Sequence, residues 1–277
     1  MFTLNCKGRL LVVDKPLVMG IINLTSDSFY EGSRSNDIDA ILRQAEKMLE
    51  EGAYILDLGA QSTRPGSKRI TADDELKKLI PATEAILHRF PHTIISVDTY
   101  YSKVVKESVM NGASIINDIS AGSMDEEMIS TVAALQVPYI LMHMQGEPGT
   151  MQKNPVYENI NREILDFLIF KIGDLRKAGI VDIIIDPGFG FGKTIDHNFK
   201  LLQQLSLFKI LGVPILAGLS RKSSVYKTLG VNANEALNGT TVLNTIALLN
   251  GANIVRVHDV KEAKEAITLI DRYKSDF

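Results

Sequence analysis

A closed α/β barrel is the fold this sequence predicts, on three observations. Eight short apolar runs of strand length, rich in isoleucine and valine, recur along 277 residues. Segments of helical periodicity separate them. Five runs are introduced by a glycine in a similar frame, at Gly52, Gly112, Gly179, Gly212 and Gly251, and glycine just past a helix tolerates the left-handed conformation that ends it. Strands nearly continuous in hydrophobicity and alternating with helices imply a parallel sheet buried on both faces. Eight such units in a chain of this length close into a single (β/α)8 TIM barrel, one domain over 1–277. An open doubly wound sheet is the structural alternative, but its glycine fingerprint is missing.

Taken in order, TLNC and RLLVVD flank the polar pair Lys7 and Gly8, which predicts an N-terminal β-hairpin within the first sixteen residues, capping the barrel floor. The eight barrel strands are LVMGII (17–22), YILDLG (54–59), TIISVD (93–98), SIINDI (114–119), PYILMHM (138–144), DIIID (182–186), PILAGLS (214–220) and NIVRVH (253–258). Ile38, Ile41, Leu42, Ala45, Met48 and Leu49 fall on one face of a helix at three- and four-residue spacing. Thr71, with Asp74 three residues on, opens a second helix that Pro81 should kink; Ser102 and Asp259 are plausible caps for two more. The segment MQGEPGTMQKNPV (144–156) is a loop, placed by its position after the fifth strand at the barrel mouth.

Composition narrows the function classes. With 45% hydrophobic and 23% charged residues the chain is an ordinary globular one that can bury a large core. A formal net charge of −3 argues against a general nucleic-acid or membrane-surface binder. The single cysteine, Cys6, cannot form an internal disulfide, and cytoplasmic localisation is the default. No apolar run approaches a membrane-spanning length. Five scattered histidines without H-x-x-x-H or C-x-x-C spacing argue against structural zinc.

The stretch IIIDPGFGFGKT (183–194) looks like a nucleotide-binding loop but is not one. The phosphate-cradling pattern G-x-x-x-x-G-K-[ST] fits Gly192, Lys193 and Thr194 but requires glycine where Pro187 stands. The dinucleotide pattern fails too, at Lys193 or Ile195. What remains is a carboxylate, Asp186, at a strand tip.

In an α/β barrel chemistry sits at the C-terminal strand ends. Here those ends carry Asn23, Asp57, Asp98, Asn117, His143, Asp186, Ser220, Arg256 and His258. Solvent tolerates a polar residue at any one tip, so only the set is informative. Asp98, Asn117 and Asp186 suit a flat heterocycle with adjacent ring N–H and amino donors, because two carboxylates accept while an asparagine both donates and accepts. Lys222 could supply the donor to a ring carbonyl. Arg64, Arg221 and Arg256 are candidates for phosphate oxygens, since guanidinium makes bidentate charge-assisted contacts. Ser223 and Ser224 should start a helix, and Asn23 with a pyrophosphate could hold magnesium, an ion often bound through substrate phosphates.

Together MGIINLTSDSF, STRPGS, ISVDTY, IINDIS, MHMQGEPGTMQ, DPGFGFGK, GLSRKS and RVHDV, in order from about Leu17 to the end, make the chain resemble the dihydropteroate synthases, folate-pathway enzymes targeted by sulfonamides. The resemblance implies a transferase that joins 6-hydroxymethyl-7,8-dihydropterin pyrophosphate to 4-aminobenzoate, releasing pyrophosphate. By matched position it implies that Asp98, Asn117, Asp186 and Lys222 hold the pterin, with Phe191 packed near it and Met142 lining its pocket. It further assigns magnesium to Asn23, the diphosphate to Thr63, Arg64, Arg256 and His258, and aminobenzoate to Ser223, Phe29 and Pro65. Two loops, 17–33 and 61–70, are implied to close over a dissociative reaction, and a homodimer is implied by the family alone. Ser26, Glu31 and Gln61 depart from the family's usual proline, aspartate and glutamate. A pterin-binding methyltransferase would share the aspartate logic but has no need of STRPGS or SRKS. A non-catalytic pterin binder would have lost loop residues that remain here.

Overall fold

The computed structural model describes residues 1–24, 34–61 and 69–275, with only the backbone of 34–36. Strands β1 (Phe2–Cys6) and β2 (Arg9–Val13) pair antiparallel around the Lys7–Gly8 turn. The barrel strands follow: β3 (Leu17–Asn23), β4 (Ile55–Gly59), β5 (Ile94–Asp98), β6 (Ile115–Asp118), β7 (Tyr139–Met142), β8 (Ile183–Asp186), β9 (Leu216–Ala217) and β10 (Ile254–Val257). They form one parallel sheet in the order β8-β7-β6-β5-β4-β3-β10-β9. A parallel bridge between Ile185 and Ile215 joins its two edges, with the Ile185 N–H donating to the Pro214 carbonyl at 2.9 Å. The eight expected strands are all present, and the doubly wound alternative is excluded. β9 is shorter than the run 214–220, in part because the side chain of Asn253 takes the Ile215 N–H at 3.0 Å.

Helices α1 (Arg34–Glu50), α2 (Ala72–Arg89), α3 (Ser102–Met110), α4 (Met128–Leu135), α5 (Ile160–Lys177), α6 (Ile195–Gln203), α7 (Ser223–Leu229), α8 (Leu237–Leu249) and α9 (Val260–Lys274) alternate with the strands, α7 and α8 sharing one crossover. The predicted face of α1 is the buried one: Ile41, Ala45 and Met48 pack against β3, β4 and β10 residues, with Ile38, Leu42 and Leu49 at the margin. All five frame glycines have positive φ. Thr71 caps α2 by accepting the Asp74 N–H at 3.2 Å, and α2 runs on through Pro81. Two expected caps do not cap. Ser102 is the first residue of α3, and its N–H goes to the Asp125 carboxylate at 2.7 Å, which does the work a capping serine would do. Asp259 precedes α9, but its carboxylate is held by Arg221. Among the described residues no helix is long and apolar enough to cross a membrane.

Strand alternation positions the site. Met19, Ile55, Ile94, Ile115, Ile140, Ile184, Leu216 and Ile254, one from each barrel strand, pack with Leu4, Cys6, Leu11 and Val13 of the hairpin, which plugs the barrel floor as expected. Side chains two residues on face the same way. The next inward layer is therefore Ile21, Asp57, Ser96, Asn117, Met142, Asp186, Gly218 and Arg256. One step further, at the mouth, come Asn23, Gly59 and Asp98, in register with each other and with Asn117. An apolar floor thus gives way to a polar ring within a single turn of the strand pleat.

The outer layer holds one unexpected group. Glu75 of α2 is fully buried, and neither carboxylate oxygen has a hydrogen-bond partner among the described residues. Burial, reinforced by the Asp98 charge and opposed by Thr99 and Arg69, pushes its pKa from 4.5 up to about 8. Below the ordinary value the group is protonated in both folded and unfolded chains and has no effect on stability. Between the two values unfolding releases its proton, so the fold loses roughly 1.4 kcal/mol of stability for each pH unit of rise. We expect Glu75→Gln to be more stable than the parent at pH 7.5 and equal to it near pH 4.5. Denaturant unfolding at both values checks this, and a gap that does not grow with pH would mean that Glu75 is ionised and paired in the fold.

Candidate active site

The DPGFGFGKT segment forms one wall of the mouth, and its packing explains its glycines. Gly188 and Gly192 have φ of +75° and +61°, and a Cβ added at either would lie 1.8 Å from the His143 carbonyl oxygen or 2.3 Å from that of Gln145. Only glycine allows this backbone to lie directly on the chain that leaves β7. Gly188→Ala is expected to cost well over 1 kcal/mol, both for the left-handed backbone and for the contact; thermal unfolding checks it, and an unchanged midpoint would contradict the packing. The lysine and threonine that imitate a phosphate loop have other partners. Thr194 caps α6 reciprocally with His197. The Lys193 ammonium, 3% exposed, reaches His143 Nδ1 at 3.1 Å and donates to the Phe191 and His143 carbonyls at 3.0 and 3.3 Å. Burial lowers the Lys193 pKa to about 7 and that of His143 to about 3. The loop 144–156 closes over this wall, with Gln152 donating to the Gly190 carbonyl at 2.5 Å and the Tyr157 hydroxyl, just beyond it, to that of Gly192 at 2.9 Å.

Above the floor, three inward carboxylates meet two cations. Asp186, 5% exposed, accepts the Gly188 N–H at 2.7 Å, and burial raises its pKa despite the opposing charge of Lys222. Lys222, at the start of α7, donates to the Phe189 carbonyl at 2.5 Å, with its ammonium 4.8 Å from the centre of the Phe191 ring. Burial lowers its pKa to about 8, with Asp186 pulling the other way. Far from a solvated surface lysine, it spans the space between Asp186 and the Phe191 ring. Met142 is buried beside Tyr100 and Ile119, with Phe191 packed against that cluster.

Arg256 is the centre of the set. Its Nε donates to Asp57 at 2.6 Å and its Nη2 to Asp98 at 2.6 Å, while the Asn117 amide donates to the same Asp57 oxygen at 3.0 Å. Burial raises the Asp98 pKa to about 7, offset by Arg256 and reinforced by Asp57 and Asp118. Asp118, one residue on from Asn117, faces the other side of the sheet and is a structural group: the Ser120 and Gly122 N–H groups and the Tyr139 hydroxyl all donate to it. Asp98 and Asp186, by contrast, keep acceptor capacity toward the mouth.

Asn23 sits exposed at the tip of β3, with Gly59 between it and Asp98 in the register, so no side chain intervenes. His258 is exposed just past β10, its ring Nδ1 3.1 Å from the Ser220 hydroxyl. Ser223 is the first residue of α7. Arg221 corrects the expectation: its guanidinium is bidentate to Asp259 at 2.9 and 2.8 Å and donates to the Ala233 and Asn234 carbonyls, so it serves the fold and is not free for phosphate. Phe29, Thr63, Arg64 and Pro65, with Ser26 and Glu31, lie outside the described residues, as does most of the span of the two expected loops. Gln61 accepts the Ile70 N–H at 3.1 Å, joining the two ends of the second loop. The residues missed from sequence are Asp57 as a partner of Arg256, the Lys193–His143 pair, and Glu75. Their inward spacing was the available signal for Asp57; nothing local marked the other two.

Residues 19–258 match the family described as pterin binding enzyme. The dihydropteroate synthase of Escherichia coli strain K12 is 42% identical over 270 residues, covering 97% of this chain and 95% of that protein. A Yersinia pestis dihydropteroate synthase solved with a sulfonamide drug superposes with a TM-score of 0.93 at 39% identity, covering 99% of this chain and all of the other. The Xanthomonas albilineans dihydropteroate synthase in complex with 7,8-dihydropteroate gives 0.89 at 35% identity, over the whole of both chains. With this likeness running the length of the barrel, the chain belongs to the dihydropteroate synthase family of pterin binding enzymes.

Proposed function

We propose that the protein condenses 6-hydroxymethyl-7,8-dihydropterin pyrophosphate with 4-aminobenzoate to give 7,8-dihydropteroate and pyrophosphate. The observation that carries this is the inward ring of Asp98, Asn117, Asp186 and Lys222 at the C-terminal end of the barrel. The two carboxylates accept the ring N–H and amino donors of the pterin, Asn117 completes that edge, and Lys222 donates to the ring carbonyl. Phe191 packs near the ring and Met142 lines the pocket. Arg256 and His258, with Thr63 and Arg64 of the second loop, take the diphosphate. Ser223, with Phe29 and Pro65, forms the aminobenzoate site.

The exocyclic C–O bond breaks and pyrophosphate leaves with the electron pair. The aminobenzoate nitrogen then forms the new C–N bond and gives up a proton. No protein nucleophile is needed, so this chain contributes position and charge: it fixes the pterin, faces the leaving group with cations, and excludes water when the loops close. Asn23 fits magnesium as a single exposed oxygen donor on the diphosphate side, the arrangement in which that ion keeps its waters and substrate phosphates. When bound, magnesium would neutralise charge on the departing pyrophosphate.

The whole chain, 1–277, acts as one unit in this reading. A homodimer is supported by the exposed apolar side chains Phe199, Leu229, Val242, Ile246 and Leu249 on the adjoining helices α6, α7 and α8; light scattering that reports a monomer would remove it. A cytoplasmic site of action fits the single free cysteine, Cys6, buried in the barrel floor. The test of function is pyrophosphate release from the pterin pyrophosphate, aminobenzoate and magnesium, each omitted in turn. Release that needs all three supports the synthase; pterin binding without release would leave a non-catalytic binder.

A further inference from the structure

We propose that Asp57 is a positioning residue for this reaction, setting Arg256 and Asn117 in place from beneath the substrate. The proposal rests on the synthase reading of the mouth. Asp57 is fully buried and lies opposite Ile21 and Ser96 in the strand register, two residues deeper than Asn23, Gly59 and Asp98. It shares an inward layer with Asn117, Asp186 and Arg256, but its carboxylate is fully buried, with the Arg256 and Asn117 side chains on it. One of its oxygens, Oδ2, accepts both the Arg256 Nε at 2.6 Å and the Asn117 Nδ2 at 3.0 Å. A single carboxylate oxygen thus ties the arginine expected to face pyrophosphate to the amide expected to face the pterin.

The other carboxylate on Arg256 cannot play this part. Asp98 holds Nη2 at 2.6 Å in the ligand-free protein but stands at the mouth, where the pterin competes for its oxygens. When the substrate takes Asp98, Asp57 keeps Nε and the guanidinium stays aimed. The same bond fixes the Asn117 amide: with Nδ2 turned down to Asp57, its Oδ1 is left facing up as an acceptor. The second Asp57 oxygen, Oδ1, is buried with no partner among the described residues. A carboxylate that leaves one oxygen unsatisfied so that the other can hold two donors is costly for folding alone, and this points to a role in the site.

The test is a double-mutant cycle on kcat/KM for the pterin pyrophosphate, with Asp57→Asn, Arg256→Ala and the pair. Asp57→Asn in the parent is expected to lower kcat/KM roughly tenfold or more, and in the Arg256→Ala background by a clearly smaller factor, the part that acts through Asn117. Affinity for the pterin alcohol, which has no pyrophosphate, should fall less than affinity for the pyrophosphate ester. Equal losses in both backgrounds would overturn the proposal, because a merely structural aspartate has no reason to act through Arg256. If Asp57→Asn does not fold, Arg256→Ala gives an independent reading. Added guanidinium ion should restore its turnover, because Asp57 still marks the position, and failure to restore it would remove Asp57 as the anchor. A parent protein that neither binds nor turns over the pterin pyrophosphate would instead defeat the synthase reading on which this rests.

Discussion

Replacing Arg256 by alanine is expected to lower kcat/KM by about two to three orders of magnitude and to destabilise the fold by roughly 3–5 kcal/mol. Both effects come from one group. Its guanidinium holds Asp57 and Asp98 at 2.6 Å each, and its removal leaves two carboxylates in the barrel with no cation between them. The pH profile separates this from a simple loss of stability. In the proposed site Asp98 must be ionised to accept the pterin donors. Its pKa of about 7 in the ligand-free protein therefore predicts that kcat/KM falls as the pH drops below about 7. Arg256 is the strongest influence lowering that pKa, so in Arg256→Ala the acid limb should move to higher pH. Pyrophosphate release measured from pH 6 to 9, beside denaturant unfolding, checks both parts. Activity near that of the parent, or an unmoved acid limb, would take Arg256 out of the site.

How much of this was legible follows from what sequence encodes locally. The eight strands were visible because each isoleucine- and valine-rich run is bounded by a glycine or polar frame, and at the start of β9 the side chain of Asn253, far along the chain, intrudes on the ladder. The set at the mouth was visible because chemistry in such a barrel sits at the C-terminal strand ends, so Asp98, Asn117 and Asp186 could be brought together as the tips of three strands. Partner choice was not visible. SRKS and RVHDV each bring an arginine to the mouth, yet Arg221 turns to Asp259 across 38 residues while Arg256 turns inward to Asp57 and Asp98. Nothing local distinguishes them. The sequence assigns Lys193 no role once the phosphate-loop pattern fails, and only the fold shows it buried against His143. Ser102 has the composition of a cap, but Asp125 reached its backbone first.

Asp186→Asn should separate binding from folding at the other end of the proposed pterin pocket. The asparagine oxygen can keep the Gly188 N–H, now 2.7 Å from Asp186 Oδ1, so the loop need not move. What is lost is the charge, and an amide N–H₂ now faces the pterin donors. The KM for pterin pyrophosphate is expected to rise roughly a hundredfold, the cost of a charge-assisted hydrogen bond replaced by an unmatched donor, while the KM for aminobenzoate stays near the parent value. Asp186 is also the main influence holding up the Lys222 pKa, so the alkaline limb of kcat/KM should move below about 8. Stability should change in the opposite sense. Burial raises the Asp186 pKa, so its ionisation counts against the fold once the pH passes the ordinary carboxylate range. The asparagine carries no such cost, so the variant should unfold at a higher temperature than the parent at neutral pH, and the gap should close as the pH falls into the ordinary carboxylate range. Weaker pterin binding with greater stability is the signature of a group kept for the substrate at the expense of the fold. Loss of both together would make Asp186 a part of the barrel's packing, and the pterin would have to be held from the Asp98 side alone.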